Sequence, residues 1–103
     1  MSPNENTPQP SYKISSSAKL NDEVRELAKL AATLGKKTAF LQSLRKIIDR
    51  LQNAPFNFGE CRYRLPFKNV YCCIGAIQPV AVQFAIREES HDVIILKVLL
   101  LGS

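Results

Sequence analysis

The sequence predicts an α+β domain of order β-α-α-β-β-β(-β), in which a helix hairpin packs on one face of an antiparallel sheet. Two observations lead there. Between Ala18 and Leu51 the apolar residues recur at helical intervals and are interrupted once, at Gly35. Beyond Pro55 the code changes to β-branched residues and two-residue alternation, as in strands. With 103 residues, 46% of them apolar and 22% charged, the chain has room for one domain and one modest core.

The elements follow in order. Residues 1–11 hold Pro3, Pro8 and Pro10 among Asn, Ser, Gln and Thr, so they are expected to form a disordered lead-in to a single domain over residues 12–103. "YKIS", from Tyr12, alternates and reads as a short first strand, and Ser15 to Ser17 offer a helix N-cap. Leu20, Val24, Leu27, Leu30, Ala31 and Leu34 then mark one face of a helix, with Gly35 placed as its left-handed terminator. Phe40, Leu41, Leu44, Ile47, Ile48 and Leu51 repeat the pattern until Pro55 closes it. The short connection between the two implies an antiparallel hairpin.

Strands are expected near Cys61 to Leu65, Val70 to Ile77, Val80 to Arg87 and Val93 to Leu101. Pro79 either separates two of them or marks a bulge in one long strand. "EESHD" is a polar turn, which makes the last two a hairpin. The final strand, "VIILKVLLL", is apolar on both faces apart from Lys97, whereas helices cover one face only. A partner chain or a second copy is therefore expected over part of the other face.

Charge is unevenly placed. The formal net charge is +5, and residues 36–68 hold eight basic and two acidic side chains, against four and four before them and two and three after. Such a surface favours polyanions. Within that third, "FGECRYRLPFK" alternates Arg62 and Arg64 with apolar residues. A regular strand would bring the two arginines to one sheet face and turn Tyr63 to the other. They form either a phosphate clamp or a solvated face whose stems cover their neighbours.

Cys61, Cys72 and Cys73 are odd in number and have no CxxC spacing, so reduced thiols in a cytoplasmic protein are the expectation, with no metal and no cofactor. The opening residues do not have the basic and apolar regions of a secretory signal, and no apolar run reaches the ~18 residues that span a bilayer. Glu60, Tyr63, Tyr71, Glu88, Glu89 and His91 are the other titratable groups near the arginines. His91 reads as a solvated turn residue; Tyr63, Tyr71, Phe67 and Phe84 read as core.

The order of elements, the helix hairpin ending in "LQNAP", then "FGECRYRL" and a final hairpin, resembles the RelE/ParE superfamily of toxins from type II toxin–antitoxin systems. The resemblance covers roughly Tyr12 to Leu101. It implies one of two activities: ribosome-dependent endoribonuclease cleavage of mRNA in the RelE branch, or action against DNA gyrase in the ParE branch. It also implies an antitoxin that wraps the toxin and would suit the uncovered apolar surface. In the RelE branch, basic residues on the strand after the hairpin contact the RNA phosphate during attack of the 2′-OH. Arg62 and Arg64 match that strand, and Arg87, Lys68 and Lys97 are the candidates for further contacts by position. Several RelE-branch members carry an aromatic or basic catalytic residue after the last strand, where this sequence reads "LLLGS". Arginine stays protonated and cannot serve as the base, so a catalytically inactive protein-binding member of the superfamily is the alternative.

Overall fold

The computed structural model describes residues 11–65 and 69–102. The expected lead-in before Ser11, and the candidates Phe67 and Lys68, lie outside them. The order is β1 (Lys13–Ser15), α1 (Ala18–Thr33), α2 (Lys37–Asn53), a 3-10 turn (Pro55–Asn57), β2 (Glu60–Leu65), β3 (Val70–Ile77), β4 (Val80–Arg87) and β5 (Asp92–Leu100). None of the described helices is long and apolar enough to cross a membrane.

The first helix begins and ends for local reasons. Ser17 caps α1, its hydroxyl accepting from the Leu20 N–H at 3.0 Å. Gly35, at φ 72°, ends it: the Lys36 N–H donates to the Ala31 carbonyl at 2.7 Å and the Gly35 N–H to Ala32 at 3.1 Å. These are the two bonds of a Schellman cap, and they turn the chain straight into α2. Within α1 the surface charges neutralise one another, as Asp22 pairs with Arg25 and Glu26 with Lys29.

The strand order is β1-β5-β4-β3-β2, with neighbours antiparallel except β1 and β5, which run parallel. The sheet is thus mixed, which corrects the wholly antiparallel expectation. A strand that precedes a helix hairpin and returns to the sheet beside the last strand arrives by a crossover, and a crossover permits parallel pairing. β1 is held there by the Tyr12 N–H, which donates to the Gln52 carbonyl at the end of α2. At Pro79 the chain makes a tight turn with a cis Gln78–Pro79 bond, so β3 and β4 are two strands rather than one bulged strand. The Ser43 hydroxyl of α2 donates to the Gln78 carbonyl at 2.6 Å and anchors that turn.

The helices cover one face of the sheet. Phe40, Ile47 and Leu51 of α2 and Leu20 and Ala31 of α1 meet Val80, Val82, Phe84 and Ile86 of the central β4, together with Val93, Ile95 and Val98 of β5. Each large side chain buried there contributes about 1.5–3 kcal/mol. On β3 the same face carries Tyr71, Cys73, Gly75 and Ile77. Phe58 fills the space over Gly75, where a Cβ would stand 2.6 Å from the ring; that close approach is why a glycine interrupts the strand. The expectation that Phe84 is core holds; Tyr71 is half-buried against that core, and Tyr63 is 62% exposed.

Candidate functional site

Among the described residues no helix lies on the other sheet face, and two β-bulges shape it. Between β2 and β3, Cys61 pairs with Cys73 but Tyr63 pairs with Cys72, which leaves Arg62 as the extra residue. Between β4 and β5, Gln83 pairs with Lys97 but Phe84 with Ile95, which leaves Leu96 extra. A bulge re-aims the side chain it inserts. Both inserted residues line one groove of about 420 Å³ that runs from β2 to β5, together with Tyr63, Cys72, Ile74 and Gln83. Leu96 is 53% exposed there.

The first bulge overturns the expectation that Arg62 and Arg64 share a face. Arg62 lines the groove beside Tyr63, whereas Arg64 lies opposite Tyr71, on the helix side of the sheet. Its guanidinium stands 5.6 Å from the centre of the Tyr71 ring and donates to the Asn69 side chain. A strict two-residue period would have kept the arginines together; one inserted residue separates them.

Arg87 projects on the open face, where it is opposite Asp92 in the ladder. Its Nε donates to Asp92 Oδ1 at 2.9 Å and a second nitrogen engages Oδ2, a two-pronged ion pair that the Ser90 hydroxyl extends at 2.7 Å. The Arg87 guanidinium and the Ser90 hydroxyl hold the Asp92 carboxyl below its usual range, and the carboxylate raises Arg87 in return. Asp92, read from sequence as part of a polar turn, begins β5 and is nearly buried. Lys97 is exposed on the open face opposite Gln83. His91 is not simply solvated: half-buried, it stacks on Tyr12 with ring centres 3.7 Å apart.

Cys61 and Cys73 form a disulfide across β2 and β3, and Cys72 is a free thiol. The expectation of three reduced thiols is corrected. Sequence spacing could not show that a strand pairing places residues twelve apart directly opposite each other. Cys72, next to the bridge on the groove side, hydrogen-bonds with Tyr63, which raises the pKa of the phenol. A tyrosine phenol is protonated at neutral pH in any case, so Tyr63 can donate a proton or hydrogen bond into the groove. Arg62 and Tyr63 together present hydrogen-bond donors at one wall of a groove that Ile74, Gln83 and Leu96 also line, an arrangement that can hold an anion beside apolar side chains.

A second charged surface lies on α2, where Arg45, Lys46 and Arg50 surround an opening of about 720 Å³ with Gln42, Asp49 and Ile77. Among the described residues these three cations make no ion pair, in contrast with the self-neutralised α1. No group of three or more His, Cys, Asp or Glu that could hold a metal ion occurs among the described residues. No protein-family model, no curated protein and no solved structure matches the chain.

Proposed function

We propose that the chain is the toxin component of a type II toxin–antitoxin pair, of the RelE/ParE kind, and that it acts by clasping a protein target on the open face of its sheet. The element order that resembles those toxins supports the toxin part of this reading. The groove is the observation that carries the rest: two bulges bring a cation, a phenol and an exposed leucine around one depression. Arg62 and Tyr63 suit a carboxylate of the target, and Leu96 and Ile74 suit an apolar side chain next to it. The antitoxin would cover the same apolar face and so exclude the target. Binding is favoured over cleavage because Arg64 faces the other side of the sheet and Arg87 already has its carboxylate.

Ribosome-dependent mRNA cleavage is the second reading, and the neighbouring Arg62 and Tyr63 favour it. An arginine would stabilise the phosphorane, a protonated phenol would deliver a proton to the leaving 5′ oxygen, and the proton of the attacking 2′-OH would pass to solvent water. Purified chain added to a cell-free translation system separates the two. Intact mRNA, together with growth arrest on expression in a heterologous host, supports the clasping toxin. Cut mRNA supports the nuclease, and harmless expression removes the toxin reading altogether.

A further inference from the structure

We infer that the Cys61–Cys73 disulfide is a redox latch on the groove: the bridge holds the wall that carries Arg62 and Tyr63, and a dithiol reductant releases it. The inference deepens the reading of that groove as the target site and rests on it for its functional consequence, although the latch itself stands on strand geometry alone.

β2 is an edge strand in which every side chain from Glu60 to Arg64 is exposed, and only Leu65 is half-buried. Burial therefore contributes little to keeping it on β3. What holds it is the ladder, which the bulge at Arg62 interrupts, the exposed contacts of Arg64 with Tyr71 and Asn69, and the covalent bridge one residue before that bulge. Cys73 is one small member of a core in which Phe40, Phe84, Ile47, Leu51, Ile86 and Val93 are fully buried, whereas its partner Cys61 is exposed on the edge strand. The disulfide thus sits where it controls one edge strand rather than where it would staple the whole domain.

The redox step balances as ordinary thiol–disulfide exchange. A thiolate of the dithiol attacks the sulfur of Cys61, an exposed residue, and expels the Cys73 thiolate. The second thiol of the reagent then displaces Cys61 and closes a cyclic disulfide. Two electrons and two protons pass to the protein, which ends with three thiols in place of one. Removing a cross-link over a separation of twelve residues increases the opening of β2 from β3 by about 100-fold on loop-closure grounds.

The test is amide hydrogen exchange on the full chain, air-oxidised and then treated with dithiothreitol, with free thiols counted in each form. We expect one thiol before and three after, exchange of β2 amides and of their β3 partners about 100-fold faster after reduction, and amides of Val80–Ile86 little changed. Cys61→Ser should match the reduced protein; if that variant does not fold, the dithiol-treated chain decides. Equal exchange in both forms overturns the latch, as does loss of protection throughout the sheet, or three thiols in the oxidised protein. Growth arrest with redox-indifferent exchange would remove the latch and keep the clasping toxin. A working latch in a chain harmless to cells would remove only the toxin.

Discussion

Gly75→Ala tests the packing that sets the start of β2. An added Cβ would lie 2.6, 2.9 and 3.0 Å from three carbons of the Phe58 ring, which must retreat until its nearest carbon stands at least 3.4 Å away. The ring cannot retreat freely, because Phe58 is 4% exposed and also stacks on the fully buried Phe84 at 6.0 Å between centres. Overpacking of this kind costs about 1–3 kcal/mol. For a domain of this size the middle of that range lowers the Tm by about 8–16 °C. Urea and thermal unfolding followed by circular dichroism measure it. Phe58→Leu removes the obstructing ring, so Gly75→Ala should cost much less in that background, and the two effects should not add. Wild-type stability for Gly75→Ala, or strict additivity, would refute the account of why this strand carries a glycine.

Three further outcomes rest on single contacts. Ser17→Ala removes the N-cap of α1 and should cost about 0.5–2 kcal/mol by denaturant titration, whereas Ser16→Ala, whose hydroxyl reaches only the Asn21 side chain, should cost little. Because folding lowers the Asp92 pKa, the unfolded chain binds the proton more readily. The contribution is therefore fully present above the ordinary value of 3.8 and is lost as pH falls through the lower folded value; Asp92→Asn should be less stable than wild type at neutral pH, with the gap narrowing in acid. Ser43→Ala leaves the Gln78 carbonyl without its helix donor and should destabilise by about 1–3 kcal/mol, measured as a lower denaturant midpoint.

Much of the fold was legible because several signals agreed. The Ser17 cap, the Gly35 terminator and two runs of helical periodicity specify the hairpin, and β-branched residues with a proline and a polar turn specify the later strands. Parallel pairing of β1 was not legible, since three residues of local sequence do not state which neighbour they will meet. The site was misread at one place, and the cause is physical. Alternation in Cys61 to Leu65 assigns faces only while the ladder is regular, and the bulge at Arg62 offsets the residues before it by one position from those after it. That single insertion puts Tyr63 in the groove, sends Arg64 to the other side and aligns Cys61 with Cys73. Leu96 was hidden in the same way, because in an all-apolar run nothing marks the residue that a bulge will expose. The basic run on α2 was visible as charge; that Arg45, Lys46 and Arg50 form no ion pair among the described residues, while charges of α1 do, required the structure.

The central claim is that the open-face groove acts by binding. The most direct measurement is growth of a heterologous host expressing the chain, with mRNA integrity followed in parallel, for wild type, Arg62→Ala, Tyr63→Ala, Leu96→Ala and a control with Arg45, Lys46 and Arg50 changed to Gln. The account predicts arrest with intact mRNA by wild type and by the helix control, and relief by each groove substitution. Arrest that survives all three groove substitutions but is lost in the helix control would contradict it.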